Sequence, residues 1–372
     1  MPSTNKRIYY AIQQVTVGSG AVQTALHGLQ TVGVQTSFDL TQVFELGQLA
    51  IYQNMEDVPN IEVSLNKVLD GYPLIYTACT ETGSSGISKS AAVGPTLVGR
   101  QNARTDLQLA IFPDTKISAT GESIDDDYSF LTCQGMYVSS VSYTFPVDGN
   151  FTEDVTLVGN SKVWKGKANV GKFDDNKDAP LALSKVNRRQ HLNMVNSRFP
   201  SEIPGVDVSG IVANNETQGL GFSTHFQNIT VSCDLGRESI NELGRFAPYH
   251  RYASFPVEVT SEFEVLPITG DGINASEKGF YKGTGLLVDG SETACEYLYN
   301  LRDQKIYLET CEGTKISLGT KNKLTSVNYQ GGDTGGGNVS TTYSYSTFNH
   351  FTVAHSGSAT TAWHTNFTTY DI

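Results

Sequence analysis

Seven histidines, five cysteines and 38 carboxylates are the residues with which this chain could hold a metal, attack an acyl carbon or move a proton. Their spacing argues against each use. His27, His191, His225, His250, His350, His355 and His364 form no HxH or HExxH pair. His350 and His355 are spaced to share neither one strand face nor one helix face. Asp174-Asp175-Asn176-Lys177-Asp178 opens like a calcium loop, but Ala179 stands where the turn glycine belongs and Lys185 where the closing glutamate belongs. Gly166-Lys167 lacks both the spacing and the following hydroxyl of a phosphate-cradling loop, and Gly283-Thr284-Gly285 is a lone glycine pair. There is no GxSxG nucleophile elbow; Ser84-Ser85-Gly86 reads as a turn. No spacing nominates a pair of carboxylates for acid–base work. The expectation is therefore no catalytic residue, no metal and no cofactor: a protein that is not an enzyme. Trp164 and the many tyrosines read as core or interface aromatics before they read as a sugar platform.

Bulk properties narrow the class. The formal net charge is −12, with 26 Lys and Arg. A sequence-independent nucleic-acid binder needs a cationic footprint. The longest basic cluster is only Lys185, Arg188 and Arg189, which reads as a solvated turn. Asp125-Asp126-Asp127 reads as an acidic loop, or as pore lining that would repel phosphate. The 36 glycines, 18 tyrosines and 17 phenylalanines are strand-and-turn composition. Cys79, Cys133, Cys233, Cys295 and Cys311 are odd in number, widely spaced and without CxxC, as expected of a chain made in a reducing cytoplasm. No signal-peptide core and no apolar run of about 20 residues is visible, so neither secretion nor a membrane is expected.

What must position any functional surface is written twice. Ser37-Phe38-Asp39-Leu40 is followed by Glu45-Leu46-Gly47; Ser232-Cys233-Asp234-Leu235 is followed by Glu242-Leu243-Gly244. Leu49-Ala50-Ile51-Tyr52 answers Phe246-Ala247-Pro248-Tyr249, and Pro59 and Pro256 each precede an alternating apolar run. A second block, Ser140-Val141-Ser142-Tyr143 leading to Gly149-Asn150, reappears as Ser326-Val327-Asn328-Tyr329 leading to Gly337-Asn338. Two collinear blocks imply an internal duplication. Asp39 and Asp234 suit helix N-caps, so residues 42–52 and 238–246 are expected as short helices, carrying Glu45, Leu46, Gly47 and Glu242, Leu243, Gly244. The runs after Pro59 and Pro256, and residues 135–145, 153–158, 324–329 and 340–345, are expected as half-buried strands. Asp148-Gly149-Asn150 and the glycine run through Gly335-Gly336-Gly337-Asn338 are expected as hairpin tips. The expected organisation is an N-terminal arm (1–30), a first β domain (31–165), a linker or inserted lobe (166–225), a second β domain (226–356) and a C-terminal tail (357–372). The expected fold class is mainly β: two tandem sandwich or barrel domains, each with one short helix and one protruding hairpin.

The segment GMYVSSVSYTFPVDGNFTEDVTLVGNSKVW, residues 135–164, resembles the paired strands and hairpin of the tail tube proteins of tailed bacteriophages, as does the arrangement in residues 37–76. The resemblance covers most of both repeats and neither the linker nor the terminal arms. It implies a β-barrel or sandwich whose strands join those of its neighbours in a ring, with rings stacked into the conduit for DNA ejection. It implies no active site. A ring of about six domains would need about three copies of a duplicated chain; six copies with the second repeat outside is the competing arrangement. The implied partners are the chain itself, tape measure, terminator, baseplate and sheath components, and genomic DNA that passes without specific binding. The implied location is the virion, after assembly in the host cytoplasm. The Asp148–Asn150 and Gly335–Asn338 tips are the candidate ring-to-ring contacts. A baseplate hub or tube initiator, and a receptor- or carbohydrate-binding adhesin, are the alternative readings.

Overall fold

The computed structural model describes residues 8–19, 22–47, 49–80, 97, 103–113, 129–166, 186–213, 222–271, 273, 301–331 and 338–355. In chain order the strands of the first half are β1 (Ile8–Ser19), β2 (Val22–Ala25), β3 (Leu29–Ser37), β4 (Leu40–Phe44), β5 (Ile51–Glu56), β6 (Asn60–Val68), β7 (Thr105–Pro113), β8 (Ser129–Pro146), β9 (Thr152–Gly159) and β10 (Ser161–Gly166). Those of the second half are β11 (His225–Asp234), β12 (Arg237–Ile240), β13 (His250–Ala253), β14 (Glu258–Leu266), β15 (Tyr307–Glu309), β16 (Thr314–Ser317), β17 (Lys323–Gln330), β18 (Ser340–Phe348) and β19 (Thr352–His355). One α-helix, α1 (Ile75–Thr80), lies among the described residues. The protein is mainly β, as its composition requires.

Strict alternation builds the principal sheet. In β6, Ile61, Val63 and Leu65 are buried while Glu62 and Ser64 face out; in β14, Val259, Phe263 and Val265 are buried while Glu258 and Glu262 face out. The hydrogen-bonded order is β3-β6-β9-β8-β11-β14-β18-β17, every neighbouring pair antiparallel. The first four strands and the last four are the same unit laid side by side. The registers prove the equivalence down to the irregularities. A bulge between Leu29 and Thr31 in β3 recurs between Phe226 and Asn228 in β11. A bulge between Val138 and Ser140 in β8 recurs between Leu324 and Ser326 in β17. Val141 opposite Val155 becomes Val327 opposite Tyr343. Two bulges kept at matching positions of two long pairings are inherited features rather than coincidence. The two halves share one pairing pattern, although the match of Ser37 to Ser232 is two residues out: Gln35, paired to Glu62, takes the place of Ser232, paired to Thr260.

A second layer comes from β8 itself. At Gly135 (φ +65°) this long strand turns out of the principal sheet, and its first half pairs with β7 and β10, with β1 and β2 beyond. A side chain would strain that left-handed turn. Val15, Val17, Leu107, Leu109 and Leu131 from this layer share one hydrophobic core with Val63, Val155, Val231, Phe263 and Tyr345. The segment expected as a free N-terminal arm therefore contributes strands and core. Residues 192 and 198, in the expected linker, bridge to Thr310 and Tyr307 beside the small β15-β16-β19 sheet. Cys79, Cys133 and Cys233 are buried free thiols; burial pushes Cys133 up to about 11 and Cys233 to about 12. Cys295 and the tail from residue 356 lie outside the described residues.

The expected helices are absent from their places. Residues 40–56 form the hairpin β4-β5 and residues 237–253 the equivalent hairpin β12-β13, with Leu40 opposite Glu56 and Arg237 opposite Ala253. Gly47 (φ +87°) and Gly244 (φ +84°) mark the tips, a conformation no α-helix takes. Thr41, Val43, Phe44 and Tyr52 favour strands, and that preference prevails over the helix-like spacing of Leu46 and Leu49. Neither aspartate caps a helix: the Asp39 carbonyl accepts from the Asp57 amide at 2.9 Å, and the Asp234 carboxylate accepts from the Gly236 amide at 2.9 Å. The one helix, α1, is set by Glu153 instead. This fully buried carboxylate accepts from the Ile75 and Tyr76 amides (2.7 and 3.0 Å) and from the Tyr143 hydroxyl (2.8 Å).

Candidate assembly surfaces

The two units meet inside the chain where β8 pairs with β11, Ser142 opposite Ser232 and Tyr143 opposite Val231. By the same order, the strand that ends the sheet on one side, β17, is equivalent to β8, and the strand that ends it on the other, β3, is equivalent to β11. Among the described residues, the chain therefore carries one joined copy of this junction and two unjoined halves of it. The side chains record the difference. Tyr143 is 0% exposed and its equivalent Tyr329 is 62%; Val231 is 0% and Val34 is 39%; Leu235 is 2% and Phe38 is 59%. Neither open edge carries proline, and the one lysine in either strand is Lys323, at the end of β17. Edges of this length are usually guarded by such residues.

Hairpin β12-β13 folds over the internal junction and is tied to the first unit. Arg237 Nε donates to the Val138 carbonyl at 2.7 Å, Arg251 donates to Asn60 and Asn160, and His250 Nδ1 is 2.9 Å from the Tyr137 hydroxyl. Burial lowers Arg237 to about 10, with partial compensation from Tyr137, whose ring lies 5.4 Å from the guanidinium. In hairpin β4-β5 the equivalent positions are Leu40, Asn54 and Gln53. Its tip presents Phe44, Leu46, Leu49 and Tyr52 to solvent; the second presents Leu243, Phe246 and Tyr249. These tips, rather than helices, are where Glu45, Leu46, Gly47, Glu242, Leu243 and Gly244 sit. The signal that could have found the first of them is its content of strand-favouring residues, Thr41, Val43, Phe44, Ile51 and Tyr52, around Gly47.

The turn at Asp148-Gly149-Asn150 lies at the other end of the sheet, between β8 and β9. Gly149 has φ +121°, and Asn150 Oδ1 accepts from Arg188 Nε at 3.0 Å. Gly335, Gly336 and Gly337 lie outside the described residues.

The sheet face turned away from the core is largely polar, with Leu266 and Phe348 at its ends. It carries Glu62, Asp154, Asp234, Glu258, Glu262 and Glu264 among serines, threonines and asparagines, against Lys323 at the margin. No group of three His, Cys, Asp or Glu that could hold a metal occurs among the described residues, and no helix among them is long and apolar enough to cross a membrane. The acidic loops at 125–127 and 174–178 lie outside the described residues.

Among solved structures, the cap that terminates the tube of the anti-feeding prophage is similar to this chain at 12% identity and a TM-score of 0.28, over 45% of this chain and 99% of the cap chain. A likeness at that score carries no argument. No protein-family model matches the chain, and no curated protein does.

Proposed function

We propose that this chain is a structural subunit of a phage-type tail, which closes into rings through its open sheet edges and stacks into a tube that conducts DNA. The observation that carries the reading is the single sheet of two equivalent units, joined once through β8·β11 and left open at β3 and β17 with apolar side chains bare. Pairing β17 of one copy with β3 of the next, in the register of the internal junction, sets Tyr329 opposite Val34 and Val327 opposite Thr36. It covers Phe38 as Leu235 is covered. Each added chain contributes two units, so a ring of about six units closes with about three copies. The acidic and hydroxyl-rich face lines the bore, where carboxylates keep phosphate from adhering. Residence in the virion and contacts with tape measure, terminator and baseplate proteins follow from this reading. The protruding hairpins serve ring-to-ring contact.

Negative-stain electron microscopy of the purified chain, with symmetry averaging, is the test. Hollow tubes with threefold or pseudo-sixfold rings are expected. Dispersed monomers at every concentration would refute the proposal, and lone rings that never stack would reassign the chain to a tube initiator or hub.

A further inference from the structure

Resting on that reading, we infer that the first hairpin is an axial plug whose socket is a cleft at the opposite end of the sheet of a second copy. The cleft, of about 430 Å³, is floored by Phe145, Leu192, Met194, Phe222 and Phe226, where the C-terminal end of β8 meets the start of β11. Leu192, Met194, Phe222 and Phe226 are only partly buried against the core, so an apolar visitor would gain contact there. Its rim carries two arginines beside the single carboxylate of Asp148. Arg189 lines it, and the exposed Arg188 lines the adjoining hollow with Arg189 and the Gly149 turn. Arg188 and Arg189, two members of the longest basic cluster, are thus placed at the mouth of an apolar cleft.

Hairpin β4-β5 has the complementary surface. Between residues 38 and 57 the charged side chains are Asp39, Glu45, Glu56 and Asp57, with no lysine or arginine. Leu46 and Leu49 are fully exposed at its tip beside Glu45. Hairpin β12-β13 differs: Arg237, Arg245 and Arg251 outnumber Glu238 and Glu242. Charge therefore assigns the Arg188–Arg189 socket to the first hairpin and not the second. Geometry assigns it to another molecule. Both hairpins leave the sheet at the Ser140–Asp234 end, whereas the cleft lies at the Pro146–Asn228 end. The two ends are about 20 Å apart at about 3.3 Å per residue. A plug at one end and its socket at the other make a heterologous, head-to-tail contact, the kind that propagates as an open stack when its rotation closes no ring.

The test is charge reversal in the full chain, read by light scattering for ring mass and by electron microscopy for tube number. Circular dichroism confirms the fold of each variant. R188E/R189E and E45R should each leave rings of unchanged mass and reduce tubes at least about tenfold. The triple variant E45R/R188E/R189E should restore tubes, because the pair is reversed as a whole. Normal tubes from R188E/R189E, or a triple variant no better than its parents, would overturn the socket assignment while leaving ring closure intact. Failure of the unaltered chain to form any ring would overturn the ring reading and the socket with it.

Discussion

The junction between β8 and β11 and the two free edges β3 and β17 are the same structure met in two states. Inside the chain the contact is complete: Tyr143, Val231 and Leu235 are sealed, and a hairpin is pinned across the seam by Arg237 and Arg251. At the free edges Tyr329, Val34 and Phe38 stand in solvent. The difference teaches that the exposed apolar residues are half of a surface that the molecule has already built once. Exposed leucines and phenylalanines scattered singly need no explanation. Tyr329, Val34 and Phe38 each have a buried counterpart at the equivalent position of the other unit.

Proline is the sharpest way to break this comparison. Val231→Pro removes a ladder hydrogen bond from a central strand and should cost about 3 kcal/mol or more, leaving little folded protein in a denaturant titration. Val34→Pro, at the equivalent edge position, should leave a folded chain that no longer makes rings, read as a single-chain mass by light scattering. Equal damage to the fold by both would sink the idea that β3 is an open edge.

A gentler pair sharpens it. Leu235→Ala should destabilise the isolated chain by about 2–5 kcal/mol, the usual cost of a cavity at a sealed position. Phe38→Ala should change the same midpoint by less than about 0.5 kcal/mol, as for a surface site, while raising the protein concentration needed for assembly. If Phe38→Ala leaves that concentration unmoved, Phe38 is not part of a closing seam.

The smallest effect separates the units by chemistry. Glu153 in the first unit faces Lys67 across β6-β9; at the equivalent place in the second unit Thr341 faces Val265. Burial raises the Glu153 pKa, and the Tyr76 and Ile75 amides, the Tyr143 hydroxyl and Lys67 pull it partly back. Because the folded value lies above the unfolded one, this group's contribution is whole below the ordinary carboxylate range. It is lost as the pH climbs through the raised value. Glu153→Gln keeps one acceptor but turns an NH2 donor toward either the Ile75 or the Tyr76 amide, and should cost about 1–3 kcal/mol. It should also flatten the dependence of Tm on pH above the ordinary carboxylate range. A wild-type and variant pair that shift in parallel above that range would show that Glu153 does not titrate there.

Much of the sheet was legible in the residues. Alternation named β6, β9, β14 and β18, and repetition of Ser140-Val141-Ser142-Tyr143 named the equivalent strands, because a face buried on one side must read with period two. The hairpins read as helices because Asp39 and Asp234 suit N-caps, and a short polar side chain of that kind serves turns and hairpin entries equally well. The cleft was illegible: Phe145, Leu192 and Phe226 are far apart in the chain, and no local pattern joins them.

The sequence by itself determined that this is a duplicated, acidic, strand-built chain, since period, composition and repetition are local properties. Only the tertiary structure decided that the two units share one sheet and that one junction is sealed while its counterparts stay open. It also decided that Arg188 and Arg189 stand at the mouth of an apolar cleft. Those are facts of pairing between distant strands, which depend on which edges meet and not on what any one segment prefers.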